Sequence, residues 1–223
     1  MTESSFRYGV LISGSGSNLQ ALIDRSADGT IPGRIALVIS NEPDAFGLQR
    51  AEKAAIPTRV IDHRAFPNRT AFEKAMADAL DAAQVDLVCL AGFMRVLTPW
   101  FVRHYQGRLL NIHPALLPAF PGLHVQQKAL DTGVRFSGAT VHFVVEDVDA
   151  GPIVVQAVVP VHPEDDAPAL SARILQQEHR IFPLAVRLFA QKRLKVQGRR
   201  VIILNHVSDP SVAVINPESD LVT

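Results

Sequence analysis

Residues 8–27, YGVLISGSGSNLQALIDRSA, decide the fold. Residues 8–13 read as a strand and residues 17–27 as a helix, and Ser13, Gly14, Ser15, Gly16, Ser17 and Asn18 join them. Small residues let the backbone approach a ligand closely, and a helix N-terminus offers free N–H groups with a partial positive charge. That combination suits a phosphate. The run is not a dinucleotide fingerprint, because Leu19 stands where the third glycine belongs, and it lacks the Gly-Lys-Ser/Thr of a Walker loop.

The same strand–helix rhythm continues outward. Strands are expected over residues 35–40, 58–61, 87–91 and 109–113, and helices over 46–55, 70–83 and 98–105. The helix over 70–83 follows from Phe72, Met76 and Leu80 recurring every four residues, with Asn68 as its cap. Alternation of this kind makes a doubly wound α/β fold, a mostly parallel sheet with helices on both faces. After Gly122 the rhythm changes. Residues 125–132 read as a helix, 137–145 and 153–160 as paired strands around Gly151-Pro152, and 195–204 as a hairpin. A long helical pattern spans 166–190, which Pro183 is expected to kink or interrupt. Residues 1–207 are thus expected to form a single domain, and 208–223 a loose extension.

Composition narrows the function. Lysine plus arginine and aspartate plus glutamate each number 22, so no basic excess points to nucleic acid, and 6% aromatic residues make no stacking platform. The single cysteine, Cys89, lies in an apolar run and forbids an internal disulfide framework. No apolar stretch approaches the ~20 residues of a membrane span, and the first eight residues lack an apolar signal core, so a cytoplasmic protein without a membrane partner is expected.

Three further segments carry chemistry. In LLNIHPALLPAFPG, residues 109–122, Asn111 and His113 are two apart in a strand and share one face. An amide donor and a titratable imidazole therefore meet at the carboxyl edge, where open α/β sheets keep their sites. Glu146, Asp147 and Asp149 fill the turn between two later strands, and one carboxylate there can orient the imidazole; the residues alone do not choose between Asp147 and Asp149. In LAGFMRVL, residues 90–97, a buried strand is expected to end at Gly92 and to expose Phe93, Met94 and Arg95, a lining for a flat heterocycle with an acidic tail. His113, His124 and His142 lack compact ligand spacing, so no metal is expected.

These segments, with ISNEPDAFGLQRA, GATVHFVVEDVDAGPIVVQ and QQEHRIFPL, occur in an order that resembles the phosphoribosylglycinamide formyltransferases, folate-dependent enzymes of purine synthesis. The resemblance runs from Gly9 to about His206. It implies a catalytic trio of Asn111, His113 and Asp149. It also implies a ribotide site at Gly16, Ser17, Asn18 and Glu178. A folate site is implied at Arg69, Met94, Arg95, Val96, Leu97, Asn111, Val145, Glu146, Asp147, Val148 and Asp149. The implied co-substrate is 10-formyltetrahydrofolate, the acceptor is the phosphoribosylglycinamide amine, and the assembly is a monomer or homodimer. Ala115 departs from the family, which often has serine there. Formyltetrahydrofolate deformylase, which shares the trio but uses water, and a non-catalytic nucleotide-binding module are the alternatives.

Overall fold

The computed structural model describes residues 6–205, so the extension expected over 208–223 lies outside the described residues. The elements are β1 (Arg7–Ile12), α1 (Ser17–Ala27), β2 (Arg34–Ser40), α2 (Phe46–Lys53), β3 (Thr58–Val60), α3 (Arg69–Ala82), β4 (Leu87–Leu90), α4 (Pro99–His104), β5 (Leu109–His113), α5 (Val125–Thr132), β6 (Phe136–Phe143), β7 (Ile153–Pro160), α6 (Ala167–Ala190), β8 (Leu194–Gln197) and β9 (Arg200–Ile203). A 3-10 turn over His63–Ala65, which has no apolar period to announce it, precedes α3.

The strands form one nine-stranded sheet in the order β3-β2-β1-β4-β5-β6-β7-β9-β8. β1 to β5 run parallel to one another. β6 is antiparallel to β5 and β7 to β6. The β8–β9 hairpin joins the far edge through Ile153 and Arg200. The strand order reverses direction at β1 and β4, the switch point where doubly wound sheets open a crevice at their carboxyl ends.

Alternation along the strands feeds two cores. Val10 and Ile12 of β1 pack with Leu19, Leu22, Ile174, Phe182 and Val186 on the α1–α6 face. Leu11 packs on the other face with Phe72, Met76, Leu80, Phe101 and Tyr105 of α3 and α4. Burial of each such side chain contributes about 2 kcal/mol, so the two faces, not helix propensity, hold these short helices. Asn68 caps α3 by accepting from the Ala71 N–H, and Thr98 with Pro99 opens α4. The next residue, Trp100, stacks on His104 with ring centroids 5.4 Å apart.

One expectation is narrowed and another corrected. Of the kink or interruption expected at Pro183, the interruption is absent: α6 is continuous, and Phe182, Pro183, Ala185 and Val186 are all buried, so packing holds the backbone across the missing N–H. β6 stops at Phe143 rather than continuing to 145: its register with β7 shifts at Val141/His142, and beyond Phe143 only the Val144 N–H, donated to the Leu109 carbonyl, extends the pairing with β5. No described helix is long and apolar enough to cross a membrane.

Candidate active site

The loop after β1 meets α1 at Gly16, whose φ of +67° demands glycine. A Cβ there would sit 2.5 Å from the Gly47 Cα, so the loop and α2 touch backbone to backbone. The Gly47 N–H donates to the Gly14 carbonyl at 3.0 Å, and the Arg50 Nε–H to the Ser15 carbonyl at 2.9 Å. No side chain caps α1, and its first turn holds no acidic residue. The first N–H groups of the helix therefore stay open to an anion. From α6, Glu178 reaches this turn and accepts from Asn18 Nδ2 at 2.6 Å. Both side chains are buried. Burial pushes the Glu178 carboxyl above its ordinary range, and the Asn18 bond opposes the shift.

Asn111 and His113 lie on β5 opposite His142 and Thr140 of β6. The His142 Nδ1–H donates to the Phe143 carbonyl at 2.9 Å, which leaves Nε2 to accept from Asn111 Nδ2 at 3.2 Å. Burial holds His142 below the usual histidine range, so it stays neutral at neutral pH and keeps that lone pair. One amide hydrogen of Asn111 is thereby used and the other is aimed by default. The His113 Nε2–H donates to the Phe120 carbonyl at 2.9 Å, which turns Nδ1 toward Asp149 Oδ2 at 3.5 Å. Asp149 Oδ1 lies 3.7 Å from His142 Nε2, and Oδ2 accepts from the Gly122 N–H at 2.9 Å.

Asp149 arrives by an indirect route. β6 runs antiparallel to β5, so its end at Phe143 lies beside Leu110, away from His113. The chain must return by about three residues, roughly 10 Å, to bring a carboxylate to the imidazole. It does so with Asp149 at φ +54° and with Gly151 packed so closely that a Cβ would lie 1.7 Å from the Phe143 carbonyl oxygen. Asp147 stays exposed on the same loop. The proline loop after β5 is held from beneath. Thr140 Oγ1 donates to the Ala115 carbonyl and accepts from the Leu117 N–H, while Gln156 Nε2 donates to the Leu117 carbonyl. Ala115 itself is fully buried.

The residues expected around a folate gather less tightly. Met94 is 68% and Val96 56% exposed on the loop after β4, and Val148 is 55% exposed. Phe93, expected to be exposed, is buried at 8% like Leu97, because the loop turns alternate side chains into the α3–α4 core. Arg95 is half-buried in this loop, Arg69 is exposed at the start of α3, and Val145 is half-buried. Glu146 turns away to pair with Arg103 at 3.0 Å. His142 and Thr140 were not among the expected site residues; only the cross-strand register puts them opposite Asn111 and His113. Among the described residues, no group of three His, Cys, Asp or Glu side chains is arranged to hold a metal ion.

The formyl transferase model matches residues 6–186. A phosphoribosylglycinamide formyltransferase from Escherichia coli K12 is 49% identical over 84% of this chain and 88% of its own length. The chain belongs to this family. The family's glycinamide ribonucleotide transformylase 1 from Symbiobacterium toebii has a solved structure that superposes with a TM-score of 0.88 at 55% identity, covering 90% of this chain and 94% of that one. The chain also matches a trifunctional purine biosynthetic protein adenosine-3 from Drosophila melanogaster, at 55% identity over 83% of its residues, but spans only 14% of that protein. A formyltetrahydrofolate deformylase from Pseudomonas syringae pv. tomato shares the fold at 27% identity and a TM-score of 0.84, covering 90% of this chain and 66% of that one.

Proposed function

We propose that this formyltransferase moves the formyl group of 10-formyltetrahydrofolate to the amine of 5'-phosphoribosylglycinamide in purine biosynthesis. The observation that carries this reading is the uncapped α1 N-terminus with Glu178 tied to Asn18, set at the same sheet edge as Asn111, His113 and Asp149. A transferase must hold an amine beside the formyl carbon, and remote contacts to a phosphate and a sugar do that. Backbone amides from Gly16 to Asn18 receive the phosphate, and Glu178 receives the ribose hydroxyls. Met94, Val96 and Val148 offer exposed apolar contact for the pteridine, with Arg69 and Arg95 as cations for the acidic tail.

In the reaction, the amine nitrogen attacks the formyl carbon and a C–N bond forms while negative charge develops on the formyl oxygen. The second Asn111 amide hydrogen stabilises that oxyanion, with the His113 imidazole, oriented by Asp149, beside it. The bond to the folate nitrogen then breaks. The proton lost by the amine reaches that nitrogen through Asp149, directly or by water.

Spectrophotometric release of tetrahydrofolate, with and without saturating ribotide, tests the reading. A rise of ~100-fold or more with ribotide is expected, since positioning contributes several kcal/mol. Equal rates in both arms with formate as product would make the protein a deformylase. No release in either arm would leave a nucleotide-binding module without this chemistry.

A further inference from the structure

Ser13 follows β1 directly and opens the loop that leads to α1, but its side chain faces a different partner set. Its Oγ–H donates to Asn41 Oδ1 at 2.5 Å, and its Oγ accepts from the Met94 N–H at 2.8 Å. Its own N–H donates to the Gly92 carbonyl at 3.1 Å. The direction of this relay is fixed. Asn41, 1% exposed, spends its Nδ2 on Glu42 Oε1 at 3.0 Å, so its carbonyl oxygen must face Ser13. The Ser13 hydrogen is therefore committed to Asn41, and only a lone pair is left for Met94.

The other end of the same loop is fixed from α3. Glu73, 1% exposed, accepts from the Thr98 N–H at 2.8 Å through Oε1 and from the Thr98 hydroxyl through Oε2. Between these two attachments the loop buries Phe93 and Leu97 and holds Met94 and Val96 outward. An exposed pair of large apolar side chains on a loop tied at both ends by buried polar groups is a preformed ligand surface, not slack chain.

We infer that Ser13 and Glu73 are positioning residues for the folate, acting through the loop from Gly92 to Thr98 without touching the ligand. The inference rests on the proposed folate site. It assigns Ser13 to the folate although its sequence neighbours Gly16 to Asn18 are assigned to the ribotide. Removing the Ser13 hydroxyl leaves both the Met94 N–H and the Asn41 oxygen without a partner and frees the loop.

Calorimetric titration of the intact protein with tetrahydrofolate, and separately with phosphoribosylglycinamide, tests it. Ser13→Ala should weaken tetrahydrofolate binding about tenfold, the scale of one unmade hydrogen bond, and change ribotide binding less than twofold. In turnover, the KM for formyl-folate should rise more than kcat falls. Ser13→Thr keeps the hydroxyl and should restore folate binding. Glu73→Ala should lower folate affinity in the same selective way wherever the protein folds. If Ser13→Ala leaves folate affinity unchanged, or weakens both ligands equally as its melting temperature drops, the positioning role is wrong. If the unaltered protein does not bind tetrahydrofolate, the folate site itself is wrong and the inference falls with it.

Discussion

The five parallel strands and the four strands beyond them deliver their functional residues by different means. In the parallel half, the chain leaves β1, β4 and β5 at one edge: the Gly16 loop and the loop after β4 follow directly on a strand, and His113 is the last residue of β5. In the antiparallel half, β6 ends on the wrong side of His113, and Asp149 is delivered by a loop that doubles back. A parallel sheet makes a site by rule. An antiparallel pair needs a special backbone to contribute to the same site, here a left-handed Asp149 and a Gly151 with no room for a Cβ.

The largest expected effect falls on the returning loop. Asp149→Asn keeps the bond from the Gly122 N–H but removes the charge facing His113 and the proton acceptor. Turnover should fall by on the order of a hundredfold or more, with folate affinity nearly intact. Steady-state kinetics with a parallel binding titration check this, and near-normal turnover would show that the detour serves structure alone.

A smaller and more selective effect is expected in the parallel half. Gly16→Ala must adopt positive φ and push a methyl group against Gly47, a combination worth about 1–3 kcal/mol. The ribotide KM should rise several-fold more than the folate KM. An equal rise for both substrates would mean that the loop organises the whole edge and not the phosphate alone.

The smallest effect concerns pH. Glu178 has its folded pKa raised by burial, so the folded chain holds this proton more tightly than the unfolded chain. The corresponding stability is present below the unfolded value of about 4.3 and is lost as pH rises through the folded one. Glu178→Gln cannot ionise and still offers Asn18 an oxygen. Urea unfolding at several pH values should therefore show the variant gaining on the parent protein as pH rises, although its ribotide affinity falls. A constant difference across pH would place the penalty of burial elsewhere.

The same contrast governs what was legible in the sequence. Helical period and apolar runs placed the elements of the parallel half to within two residues or so, because each depends on local pattern. Asn111 and His113 were legible because a strand's period of two puts them on one face. His142 was not, since its place opposite Asn111 depends on a register between strands 31 residues apart. The choice of Asp149 over Asp147 came only from family resemblance, because nothing local encodes the path by which the loop returns. Phe93 was misread for a related reason: its burial depends on α3 and α4 closing over it.

Trp100 gives the loop after β4 an optical label of its own. It is the only tryptophan in the chain, two residues beyond the Thr98 that Glu73 secures, and it stacks on an imidazole. Emission excited selectively from indole therefore originates at one point, where the loop after β4 joins α4. Its anisotropy and lifetime can follow the ordering of that loop in solution, with no dye attached and no residue replaced.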